Sequence, residues 1–132
     1  MRQIVRERLV ELYTATGSFS VVCGYLPMDL LGATSALAIY NKKTGWKIEN
    51  KATKHDFYSY WLDVLVKREN EVATEDTLDS LHEVVRAVMA ANIDDVWDTI
   101  ETVDASEPLF TKISDVPYRV EQFTLTVKVR RI

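Results

Sequence analysis

The sequence predicts an α+β domain: a mostly antiparallel sheet with two main helices packed on it. Three observations carry this. Two segments have the 3.6-residue apolar period of amphipathic helices, one long segment alternates with apolar residues on both sides, and the last segment alternates cleanly between apolar and polar. Helices that separate from a run of strands in this way pack on one side of a sheet. The order reads helix, strands, helix, strands, and it describes a single domain over residues 1–132.

The first helix is expected over Arg2 to Thr16. Val5, Leu9, Leu12 and Tyr13 fall on one face, charged residues occupy most of the rest, and Gly17 is a natural stop. Val21, Val22 and Cys23 suggest a short strand, and Pro27 excludes a long central strand from the stretch after it. Ser35 to Tyr40 reads as a strand with Leu37 and Ile39 on one face. Residues 41–54 are polar and rich in lysine, with turn formers at Asn41 and Gly45, and read as a long hairpin loop whose arms extend the flanking strands.

His55 to Arg68 is the clearest strand. Tyr58, Tyr60, Leu62, Val64 and Val66 lie on one face; Phe57, Trp61 and Leu65 lie on the other, mixed with Ser59, Asp63 and Lys67. Such a strand is either central or turns its second face to another subunit. Thr74 is the expected N-cap of a second helix, Glu75 to Asn92, with Leu78, Leu81, Val85, Val88 and Met89 on its apolar face. Ile93 to Glu107 reads as a short helical turn followed by a strand, its acidic residues, Asp94 and Asp95 among them, facing water. Pro108 to Pro117 reads as a loop. In the last strand, Tyr118 to Arg131, Phe123, Leu125, Val127 and Val129 point one way and Gln122, Thr124, Thr126, Lys128 and Arg130 the other. A polar side this regular belongs to a strand with one wetted or interface face.

Composition narrows the function classes. The chain has 132 residues, 16 Lys plus Arg and 20 Asp plus Glu, a formal net charge of −4, and one cysteine. That length sustains a core without staples. One cysteine excludes an internal disulfide framework. No apolar run approaches the roughly 20 residues that span a bilayer, and the charged N-terminal stretch lacks a signal-peptide core. The acidic balance argues against a dedicated nucleic-acid binder.

The residues that carry chemistry are scattered. His55, His82 and Cys23 lie far apart with no paired-ligand spacing, so no metal site is expected. His55 reads as a solvated edge residue, His82 as a surface or boundary residue, and Cys23 as a small buried one. Ser18 and Ser20 have no nearby base, Asp94 and Asp95 read as exposed acids after a helix, and no phosphate-binding glycine pattern occurs. Lys42, Lys43, Lys47, Lys51 and Lys54 surround Trp46, a pattern that can meet a phosphate backbone and stack a base, or anchor a hairpin that meets a protein. The absence of an opposing basic surface favours the hairpin or the protein partner.

The order of parts is familiar. An amphipathic helix leads to a short strand and a Pro-containing loop. SALAIY, a long polar hairpin and FYSYWLDVLVKR follow, then a carboxylate-bearing link to TLDSLHEVVRAVM, and finally VEQFTLTVKVRRI. This order resembles the tail terminator proteins of long-tailed bacteriophages, the minor-tail-protein-U type, and the related neck completion proteins. The resemblance implies a non-enzymatic virion protein, assembled in the host cytoplasm, that needs no cofactor and no metal. It implies a homo-hexameric ring at the head-proximal end of the tail that ends polymerisation of the tube protein and meets the head connector, with DNA passing through the lumen without specific binding.

On that reading the interface candidates are the hairpin residues Lys42, Lys43, Trp46, Lys47 and Lys51, the second strand face Phe57, Trp61 and Leu65, and the polar row Gln122, Thr124, Thr126, Lys128 and Arg130. A ring needs two different surfaces on each subunit. The alternatives are a neck completion protein of similar fold, a small α+β ligand-binding or enzymatic domain built on Cys23 or the acidic cluster, and a nucleic-acid module using the lysine-rich hairpin.

Overall fold

The computed structural model describes residues 1–48, 54–91, 94, 96–105 and 109–131, with side chains outside the described set at 43–48, 54, 101–104 and 131. The described residues form two helices, α1 (Arg2–Thr16) and α2 (Glu71–Ala90), and six strands: β1 (Val21–Cys23), β2 (Ser35–Ile48), β3 (Lys54–Lys67), β4 (Thr99–Ala105), β5 (Leu109–Ile113) and β6 (Val116–Arg131). The fold is α+β. One curled sheet runs in the order β1-β2-β3-β6-β4, with β5 also pairing with β6. The β1–β2 pair is parallel and the others are antiparallel, so the sheet is mixed.

α1 forms over the expected residues. Val5, Leu9 and Tyr13 are buried, and Gly17 ends the helix with φ 66°, in the left-handed region that glycine enters without a Cβ clash. α2 starts four residues before the expected Glu75. Its N-cap is Asn70, whose Oδ1 accepts from the amides of Val72 (3.0 Å) and Ala73 (3.2 Å). Thr74 is instead buried inside the first turn, its hydroxyl oxygen accepting from the Glu69 amide at 3.3 Å. The added turn has no apolar repeat, so only the cap geometry reveals it. α2 ends at Ala90, and Asn92 lies outside the described residues.

Both helices cover one face of the sheet. Leu78, Leu81, Val85 and Met89 of α2 join Val5, Leu9 and Tyr13 over Leu37 and Ile39 of β2, Tyr58 to Val66 of β3, and Phe123 to Val129 of β6. The even positions of β3 and the odd positions of β6 meet here, as their alternation predicts. Each such large side chain, fully buried, contributes about 1.5–3 kcal/mol. Two hydroxyls pin the layers: Tyr13 Oη donates to the Val85 carbonyl (3.1 Å) and Tyr60 Oη to the Arg2 carbonyl (2.6 Å). Burial pushes both phenols well above the ordinary tyrosine range.

Two expectations are corrected here and a third is refined. The arms of the lysine-rich hairpin extend the flanking strands, as expected, and take up most of residues 41–54. β2 continues to Ile48 and β3 starts at Lys54, with Lys43, Trp46 and Lys47 opposite Ser59, Asp56 and His55. The stretch expected as a loop up to Pro117 contains β5, the start of β6 and a two-residue turn, Ser114–Asp115, in which both φ values are positive (49° and 64°). That turn matches the strand twist but lacks the glycine that usually announces it. Between α2 and β4, where a helical turn was expected, the described residues Asp94 and Val96–Asp98 are not helical, and Asp94 Oδ1 accepts from the Val96 amide. Ile93 and Asp95 lie outside the described residues.

Candidate interaction surface

The second face of the sheet divides into two halves. At one end Cys23, Leu30, Ala36, Ala38, Leu65, Tyr118 and Val120 form a smaller buried cluster, closed by the segment between β1 and β2. Tyr118 Oη donates to the Ala33 carbonyl at 2.9 Å and ties that segment down. Leu65, expected at an interface, is therefore core, 2% exposed. Beyond this cluster no helix among the described residues packs on the face, and the side chains of β2, β3 and β6 form an ordered row.

The row begins with Tyr40, Asp63 and Gln122, one from each strand. Tyr40 Oη donates to Asp63 Oδ2 at 2.7 Å, and Gln122 Nε2 donates to Asp63 Oδ1 at 2.9 Å and to Tyr40 Oη at 3.3 Å. Burial raises the Asp63 carboxyl above its ordinary 3.8, and the two donated hydrogen bonds oppose that shift. Burial also raises Tyr40, and donating to the carboxylate raises it further.

Trp61 and Thr124 come next, in register opposite one another. The β2–β3 register shifts between Asn41 and Lys43, so Lys42 is an extra, bulged residue. Its ammonium lies 4.2 Å from the centroid of the Trp61 ring. Ser59 and Thr126 share a 2.8 Å hydrogen bond between hydroxyls, and Phe57 pairs with Lys128 in register. Arg130 is exposed at the strand end, opposite His55.

The structure thus brings Lys42, Phe57, Trp61, Gln122, Thr124, Thr126, Lys128 and Arg130 to one sheet. The side chains of Lys43, Trp46 and Lys47, and the whole of Lys51, lie outside the described residues. His55, expected at a solvated edge, is instead 7% exposed in a central strand, paired with β2 on one side and β6 on the other. Asp94 is also not a free surface acid. Its carboxylate receives Arg8 Nε at 2.9 Å, and its side chain is only 7% exposed. Cys23 is buried, donates to the Tyr25 carbonyl at 3.3 Å, and has a thiol raised by burial, which suits an inert core residue. His82 is a boundary residue, its Nδ1 against a Glu121 carboxylate oxygen and its ring 5.2 Å from that of Phe123. Among the described residues no group of three His, Cys, Asp or Glu is placed to hold a metal, and no helix is long and apolar enough to cross a membrane.

Two exposed features escape pattern reading. The first is the segment between β1 and β2. Tyr25 (65%), Leu26 (58%), Met28 (91%) and Leu31 (91%) project from it, while Leu30 is buried beneath. Leu31 has φ 51°, a left-handed conformation rare for leucine, fixed by its amide donating to Asp29 Oδ1 at 2.8 Å. Ser114 Oγ donates to the Met28 carbonyl at 3.3 Å.

The second is a cleft of about 520 Å³ lined by Arg68, Glu69, Glu71, Thr74, Glu75, Phe110, Pro117 and Arg119. Phe110 is 62% exposed, with the Arg68 and Arg119 guanidiniums 4.8 and 5.3 Å from its ring centroid. Arg119 is buried and bound to Glu75 Oε1 (2.9 Å) and the Val120 carbonyl (3.0 Å). The signal available in the sequence was faint: an apolar run, YLPMDLL, interrupted by one acid, and the pair Leu109–Phe110 in a stretch that otherwise reads as loop.

Compared with protein-family models and with curated proteins, the chain matches none. Its functional reading therefore rests on the residues and geometry above.

Proposed function

We propose that this protein is a structural virion component that forms a ring at the head-proximal end of a phage tail, ends polymerisation of the tail tube and joins the tail to the head connector. One observation carries the reading: the described residues display several unlike candidate contact surfaces, namely the hydrogen-bonded row on the open sheet face, the apolar projection at Tyr25–Leu31 and the cleft at Phe110. Closed rings are built from such pairs of different surfaces. The row is held by cross-strand hydrogen bonds before any partner arrives, which lowers the ordering cost of docking. Exposed large apolar side chains grouped on one segment are a usual mark of protein–protein contact. The order of elements, similar to that of tail terminators, supports the same reading.

The test is to purify the full chain, measure its mass in solution, image it by electron microscopy and add it to polymerising tube protein. Rings together with shortened or length-capped tubes are expected. A monomer that leaves tube length unchanged contradicts the proposal.

A further inference from the structure

We infer that the projecting segment Tyr25–Leu31 of one copy docks on the Arg68–Phe110 cleft of the next copy, with Asp29 meeting Arg68 and Leu31 or Met28 covering the Phe110 ring. The inference rests on the ring reading above and names the two surfaces that would meet.

The cleft side asks for a particular chemistry. Phe110 exposes most of its ring, and β5, which carries it, pairs with β6 alone among the described strands. Of the two guanidiniums beside the ring, Arg119 is neutralised by Glu75. Arg68 makes no ion pair among the described residues and rests on the aromatic face. Glu69 and Glu71 line the same cleft without pairing with Arg68. Locally, at the ring, a guanidinium lying on a half-open aromatic face suits a carboxylate flanked by apolar side chains, since the arriving apolar surface removes water and strengthens the charge contact.

The projection supplies that combination. Asp29 is its one charged residue, set among Tyr25, Leu26, Met28 and Leu31, all exposed. The segment is held facing outward: Leu30 is buried beneath it, Ser114 holds the Met28 carbonyl, and the Asp29 cap holds Leu31 in its left-handed conformation. A leucine kept 91% exposed in that conformation is an unfavourable arrangement for an isolated monomer. Burial against a second copy gives it a stabilising partner. The two surfaces differ, so the contact is heterologous and propagates from copy to copy.

The experiment is sedimentation equilibrium on the full chain and on Leu31→Asn, Asp29→Asn, Arg68→Gln and the Asp29→Asn/Arg68→Gln double variant, with the Tm of each. Asparagine tolerates positive φ, so Leu31→Asn removes the apolar side chain without straining the turn. Asp29→Asn keeps an oxygen to cap Leu31 while deleting the charge. Leu31→Asn is expected to weaken association about tenfold or more with an unchanged or higher Tm. The two charge variants should each weaken it several-fold, and the double variant should be no weaker than the worse single, as required of a pair that acts together. Wild-type association with unchanged constants in Leu31→Asn and Arg68→Gln, or strictly additive charge effects, overturns this docking and assigns both patches elsewhere while leaving the ring reading standing. A wild-type chain that stays monomeric at every concentration overturns both.

Discussion

Tyr40 and Asp63 are joined by a 2.7 Å hydrogen bond across β2 and β3, and Gln122 of β6 completes the triad. The three strands are thereby cross-linked on the face opposite the one that α1 and α2 cover. The same carboxylate is held in a partly desolvated place, with its pKa raised. A raised carboxyl pKa means that the folded protein holds the proton more tightly than the unfolded chain. The contribution of Asp63 to stability is therefore fully favourable below the ordinary value of 3.8 and is lost as pH rises through its raised folded value.

Asp63→Asn should remove this pH-dependent component. Urea unfolding of both proteins at pH 3, 5 and 7 is expected to show the variant gaining relative to wild type as pH rises across the mildly acidic range. A wild-type-minus-variant difference that is constant with pH contradicts the assignment.

Arg119 gives a second prediction. It is 6% exposed, and its guanidinium relies on Glu75, whose side chain is 50% exposed. Glu75→Ala leaves a buried cation with one carbonyl partner and the Phe110 ring. A loss of about 1–2 kcal/mol is expected, below the cost for a fully buried pair because solvent reaches Glu75. Denaturant titration checks it, and salt should shrink the wild-type advantage.

The cap of α2 gives a third. Asn70 Oδ1 receives two of the first free amides of the helix. Asn70→Ala should cost about 1 kcal/mol. Thr74→Ala should cost stability by a different route, by emptying a buried position. If Asn70→Ala is neutral, the Asn70 cap is not operating in solution.

The open face gives a fourth. Lys42→Ala removes the cation over Trp61 and should lower stability by no more than about 1 kcal/mol. Under the proposed assembly, Trp61→Ala should reduce ring formation far more than it reduces Tm. Light scattering and thermal melting on the same samples separate the two. Equal, proportionate losses would place Trp61 in folding alone.

Much of the fold was legible in the order of residues. The apolar period of Val5, Leu9 and Tyr13, the alternation of Tyr58 to Val66 and that of Phe123 to Val129 each prescribe an element and its buried side, and all three faces meet in one core. Legibility failed where local signals were weak or were overridden. Asn70 caps a turn whose one large apolar residue, Val72, is exposed and outside the helix's buried stripe. Ser114–Asp115 makes a tight turn without glycine. How far the arms of the lysine-rich hairpin continue as strand, to Ile48 and from Lys54, was set by the pairing of β2 with β3 and not by an apolar alternation.

By itself, then, the sequence determined which side of each element is apolar, because side-chain direction follows from a period of 3.6 or 2. The tertiary structure alone decided how the second face is divided. Leu65 and Tyr118 became core when the chain between β1 and β2 folded over them, while Trp61 and Thr126, on the same strands and the same face, stayed open. Period cannot distinguish these positions. Which half is covered depends on where a distant segment comes to rest, and that same placement projects Met28 and Leu31 outward.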